Sequence, residues 1–268
     1  MVLELLSNPK IERTHKIKFF FVGFLYTLIA SGLAIFVFPS QATIVSVFLV
    51  VLAIGPFMYH MLEREEIKEL SIHTRRGLFK EYWNIISVLL LLFAGISLAY
   101  TLLFVLFPES YLFTYQSGLV ETSQIPTLEH FQGIFLNNLT VLLLCLLFSF
   151  FFSFGAIFIL AFNASIIGVA IGSTISQSIQ TGSVLIGLVA FIQYIPHGIF
   201  EITAYFVAGI AGSFLSFAIL HKEFLYKKFQ TTVNHVIFLF CVSLVLLLIG
   251  AIVEVWFSSI IGGYATSK

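Results

Sequence analysis

The residues with the most chemical potential lie in the run Pro196-His197-Gly198-Ile199-Phe200-Glu201. His197 and Glu201 are four apart, so on a helix they share one face. Pro196 fits the first turn of such a helix, where its missing N–H costs nothing. Continuing the face gives Ala204, Ala208 and Gly212, with Gly209 beside them. Small residues in this pattern let helix backbones approach closely in lipid. A second polar pair, Asn137-Asn138, opens an apolar run upstream, and Asn163 follows that run. Amide side chains can donate to a carboxylate and accept from an imidazole. The two motifs therefore support two readings: a hydrogen-bonded clasp between two helices, or a binding site for a substrate or ion. Asn163 is expected to cap the segment that follows it.

Several chemistries are excluded. All 13 acidic residues are Glu, so mechanisms that need an aspartate pair or an aspartyl phosphate are absent. No HExxH or GxSxG occurs, and a lone His-x-x-x-Glu offers only two ligands to a metal. Cys145 and Cys241 lie in apolar runs with no CxxC or Cys/His pattern, and read as small buried hydrophobes. The sequence therefore predicts no enzyme, no resident metal and no cofactor. Formal net charge is zero, which suggests no nucleic-acid partner.

The elements that position these residues must be membrane helices. Of the 268 residues, 59% are hydrophobic and only 10% charged, too apolar for one soluble core. A span needs about 20 apolar residues. Candidates are 19–38, 42–62, 84–107, 134–161, 196–220 and 234–257. The first is too long for a signal-peptide core and is followed directly by further spans. Segment 163–195 is uncharged but interrupted by Gly168, Gly172, Gly182 and Gly187, with Ser173-Thr174-Ile175-Ser176-Gln177-Ser178 in its middle.

Lys and Arg set the orientation. Twelve of the 13 basic residues fall in the N-terminal tail, in 63–82 and in 221–233, whereas 108–131 has none. Those three segments are assigned to the cytoplasm. The chain must then cross an odd number of times between 131 and 221. Segment 163–195 has to supply one crossing, as two short helices joined near Gln177 to Gly182. The expected architecture is an all-α, polytopic transmembrane bundle of about seven crossings with one broken or re-entrant segment. It sits in the cell membrane with its N-terminus inside and its C-terminus outside. The parts are a tail (1–18), three spans with an outer loop (19–130), a core block (131–220), and a last loop and span (221–268). The 63–82 stretch alternates acids and bases and reads as a solvated helical extension of the second span. Thr127 is a candidate N-cap before the fourth span. His197 and Glu201, about 30 Å of helix from the basic 221–233 loop, are expected near the outer boundary, as are Asn137 and Asn138. Glu254 is expected simply to reach that interface.

The core block resembles the SpoIIM-like family, the stage II sporulation protein M membrane proteins of bacteria and archaea. The resemblance rests on Phe135 with Asn137-Asn138, Gly155, Asn163 with Gly168, Pro196-His197-Gly198 with Glu201, Ala208-Gly209 and Gly212. One departure is Ala164, where members often have Gly. The resemblance implies an integral membrane protein without catalysis. In sporulating bacteria the namesake works with partners in a complex that degrades peptidoglycan during engulfment. A scaffold for membrane or extracytoplasmic proteins, or for further copies of itself, is thus the leading expectation. The alternative is a permease or export subunit whose polar path uses the broken segment and the His/Glu pair.

Overall fold

The computed structural model describes residues 16–69, 75–122, 131–182, 184–221 and 228–265, with side chains omitted at several helix ends. Among the described residues, eight α-helices follow in order: α1 (Ile17–Val37), α2 (Ala42–Glu69), α3 (Arg75–Leu106), α4 (Thr114–Thr122), α5 (Phe131–Phe152), α6 (Ala156–Thr181), α7 (Val184–Leu220) and α8 (Lys228–Ala265). Short 3₁₀ turns at Pro39–Gln41 and Tyr111–Phe113 flank α2 and α4. Seven of the helices are long and apolar enough to cross a membrane, and α4 is the exception. The chain is therefore an all-α, multi-pass membrane bundle.

Helix α1 packs on α2 and α3, while α7 packs on α5 and α8. Helix α6 joins the two groups by touching α3 on one side and α7 on the other. Lipid tails give apolar helices no hydrophobic reason to associate, so close packing must hold them. The glycines show where this happens. An added Cβ at Gly168 of α6 would lie 2.7 Å from Ser97 O of α3, and one at Gly23 of α1 would lie 2.5 Å from Leu92 O of α3. At Gly95 it would strike Phe20 O, and at Gly212 of α7 it would strike Leu146 O of α5. Thr101 Oγ1 adds a bond across the first of these contacts, donating to Gly168 O at 3.0 Å.

Three expectations need correction. The apolar run 134–161 is not one span. It breaks at Ser153, whose φ is 59°, and α6 starts three residues later. Ser149 Oγ accepts from Ala156 N at 3.0 Å, which caps the new helix from the preceding one. Ser153 Oγ meets Ser216 Oγ at 3.0 Å, and Ser213 Oγ donates to Ser153 O, so α7 holds the turn shut. Second, 163–195 is joined near Gly182 as expected, but it is not two short helices of its own. Its first part belongs to the regular helix α6, which ends at Gly182 with φ 66°, where the predicted junction falls. Ser173 and Thr174 donate to Ala170 O within α6. Third, Pro196 does not start a helix. Helix α7 begins at Val184 and runs through it, as neighbouring helices allow in a membrane bundle.

The stretch after α3 is less loop-like than its composition suggests. Leu112, Phe113 and Gln116 are buried, and Gln116 Nε2 donates to Ser165 Oγ of α6 at 3.0 Å. The solvated extension of the second span is helical as far as Glu69. Thr127 lies outside the described residues.

Replacing Gly95 or Gly212 by Ala should destabilise the fold by about 1–3 kcal/mol, because backbone atoms have to move. Gly32 of α1 has open space around an added Cβ. Gly32→Ala should be neutral or stabilising, by up to about 1 kcal/mol. Thermal unfolding of the three variants in one detergent checks this, and equal midpoints would contradict the packing described.

Candidate functional site

Glu201 lies near the middle of α7, partly buried where α5, α7 and α8 meet. Its approach to α8 is close because residue 250 has no side chain. A Cβ on Gly250 would lie 2.8 Å from Glu201 Cγ. Asn138, about two turns into α5, donates from Nδ2 to Glu201 Oε1 at 2.5 Å. One turn beyond Gly250 on α8 stands Glu254, within electrostatic range of Glu201. Tyr205, one turn beyond Glu201, is only 4% exposed and lies within electrostatic range of Glu201, Cys145 and Glu254. The site is thus one amide, one phenol and two carboxyls drawn from three helices, with the buried thiol of Cys145 beneath.

The polar residues singled out in the sequence do not all meet. Asn138 and Glu201 come together directly. Asn137 is exposed on another side of α5. The side chains of His197 and Pro196 lie outside the described residues. Asn163 is no cap of a broken segment: it sits inside α6 and donates to Ile159 O at 2.9 Å, one turn back.

Of the small residues, Ala204, Ala208, Gly209 and Gly212 are buried. Gly209 and Gly212 face Ala156 and Leu146, so they serve contact with α6 and α5. Gly198 makes no close approach, its nearest neighbour being Ile202 of its own helix.

Glu254 is the residue whose role the sequence concealed. It does not simply reach the interface but turns inward onto Glu201. The available signal was its spacing of four from Gly250, which puts a carboxyl on the small face of α8.

A separate polar group marks the opposite end of α7. Glu63 of α2 approaches His60 at 3.7 Å and His221 at 3.8 Å. His221 also stacks on Phe217. Among the described residues, no three His, Cys, Asp or Glu are placed to hold a metal ion.

Residues 88–259 match the family model described as Stage II sporulation protein M, which covers more than half of the chain. An uncharacterized protein of Methanocaldococcus jannaschii is 32% identical over 151 residues, which covers 53% of this chain and 79% of that protein. No solved structure matches.

Asn138→Ala should cost about 1–3 kcal/mol of stability, because it leaves a partly buried carboxyl oxygen without its donor. Asn137→Ala, on the exposed side, should stay within about 0.5 kcal/mol of the parent. Thermal unfolding of the pair is the check. Equal losses would mean that the amide–carboxyl bond contributes nothing to the fold.

Proposed function

The chain belongs to the Stage II sporulation protein M family, and from that premise we propose that it is a non-enzymatic membrane subunit that organises partner proteins. The observation that carries this reading is where the small and polar residues of the family block are used. Gly209 and Gly212 bring α7 close against α6 and α5, and the hydroxyls of Ser149, Ser153, Ser213 and Ser216 fasten the α5–α6 turn and tie it to α7. The cavities that adjoin this core are small and lined mainly by apolar side chains such as Leu89, Ile157, Leu160 and Phe206. A closely locked frame suits a part that holds others in position.

Helices α2 and α3 add something to hold them with. Both continue past their apolar spans, α2 to Glu69 and α3 from Arg75, as charged helical extensions on one side of the membrane. The distribution of Lys and Arg supports a cytoplasmic position for these extensions and for the N-terminus. Seven spans would then agree with a C-terminus on the outer side.

The transport alternative draws support from one feature, the Asn138–Glu201–Glu254 cluster inside the spans. Buried ionisable groups in membrane helices often mark ion or proton pathways.

Two measurements test these readings. For orientation, Ser117→Cys and Thr231→Cys are each made in a background with Cys145 and Cys241 replaced by Ala. An impermeant thiol reagent applied from outside should label position 117 and leave 231 untouched. The reverse pattern overturns the orientation. For function, photo-crosslinkers placed in 65–69 and 75–80 should trap discrete partner proteins in the native membrane. The purified chain in sealed vesicles should pass no more ions than empty vesicles. Ion flux that Glu201→Gln removes would overturn the scaffold and establish the permease.

A further inference from the structure

We propose that the outward face of α5 is a self-association surface, on which a second copy of the chain seats its own α5 and the two Asn137 side chains pair amide to amide across a two-fold axis. The inference goes beyond the scaffold reading and does not rest on it.

The first ground is the amide itself. Asn137 lies inside the apolar span Phe131–Phe152, about 9 Å along the helix from Phe131, and is exposed on the outside of the bundle. Its neighbour Asn138 turns the other way, to Glu201. An amide carries two donors and an acceptor with two lone pairs. A helix can meet only part of that demand. A carbonyl one turn back can take one N–H, as Ile159 O does for Asn163 of α6. The amide oxygen of Asn137 finds no donor along α5. The backbone N–H groups beside it are engaged within the helix. The Thr140 hydroxyl, one turn on, gives its proton to Leu136 O. Gly133, Ile134 and Val141, also one turn away, have no polar side chain. Lipid tails offer no donor either, and a polar group left in them costs free energy. An outward amide at this depth calls for a second helix that brings a donor.

The second ground is the pattern around it. Among the exposed residues of α5 are Gly133, Asn137, Thr140, Leu144, Leu147 and Phe151. They are alternately four and three apart, which is the seam of a left-handed helix pair. The face with Leu142, Cys145 and Ser149 is the one buried against the chain's own helices. Helix α5 is also the least buried of the seven spans. A Cβ on Gly133 would meet only open space, so a neighbouring backbone can come close there. A single Asn in such a seam fixes register and the number of helices.

The third ground selects the occupant. An amide is its own complement, since two of them can exchange N–H···O bonds in both directions. Two copies in one membrane hold their α5 helices parallel and at equal depth. A two-fold axis along the membrane normal then sets residue 137 opposite residue 137. Any other partner would need a polar residue at this same depth. The seam carries no charge, so nothing on it repels a second copy. Leu144, Leu147 and Phe151 fill the contact but are as content in lipid, so Asn137 decides it.

Energy transfer between donor- and acceptor-labelled copies of the full chain in lipid vesicles tests this. The wild type should show transfer above the level of random proximity, falling as lipid is added. Asn137→Leu should weaken association about tenfold, the scale of an interhelical side-chain bond, although Leu is the more lipid-soluble residue. Asn137→Gln keeps an amide and should retain most of the association. Thermal unfolding in detergent should be unchanged for both, because residue 137 faces away from its own bundle. In native membranes, with Cys145 and Cys241 replaced by Ala, Leu144→Cys should oxidise to a disulfide-linked dimer. Leu25→Cys, on an exposed face of α1, should not. Transfer at the random level overturns the proposal, as does unweakened association of Asn137→Leu. Stronger crosslinking at position 25 than at 144 overturns α5 as the surface. A crosslink from position 144 to a different protein, without a homodimer, overturns the second copy as its occupant.

Discussion

Helices in lipid gain no free energy from hiding apolar surface, since the surroundings are as apolar as the side chains. Everything in this bundle depends on how the helices come together despite that. The answer centres on α7, the span with the largest buried share. At Gly212 and Gly209 its backbone reaches α5 and α6 at distances that no larger residue allows. Ser213 and Ser216 then fasten the α5–α6 turn to it. With α7 fixed between α5 and α8, Glu201 has only those two helices to answer it. Asn138 and Glu254 are there because the small residues have already drawn the helices in.

Much of this was legible in the sequence, and the failures have physical causes. Lys and Arg distribution required an odd number of crossings between 131 and 221, and the structure supplies three helices there. Where the chain turns was harder. The run 134–161 is continuously apolar, and hydropathy does not register a break made by one residue at positive φ. Ser153-Phe154-Gly155 was the only local cue. Pro196 was misplaced by a rule that holds for helices in water. In a membrane bundle, neighbouring groups can take up the carbonyl that a proline frees, so α7 continues through it.

The site was half legible. That Asn138 and Glu201 belong together follows from two helices that enter from the same side with polar residues at similar depth. Glu254 could not be paired in the same way. Its partner is fixed by the rotation of α8 about its own axis, and charge counts carry no information on rotation. The pattern that does is Gly250 followed by Glu254, a small residue opposite the intruding carboxyl and an acid one turn on. A single glycine in an apolar helix is too common to carry that meaning until the neighbouring helix is known.

Polar residues inside the spans fall into two kinds, and the difference bears on function. Thr27, Thr101, Thr140, Thr203 and Ser213 each donate to the carbonyl four residues back in their own helix. A hydroxyl can always do this, so these side chains enter lipid at little cost and need no partner. Some, like Thr101 and Ser213, use the same hydroxyl to touch a neighbour. An ionised carboxylate has no such escape, because it has nothing to donate to a carbonyl. Glu201 and Glu254 must find a donor on another helix or bind a proton. The structure gives Glu201 an amide from α5 and then sets a second acid against it from α8. A structural clasp requires only the amide. The second carboxyl separates the cluster from the self-satisfied hydroxyls around it.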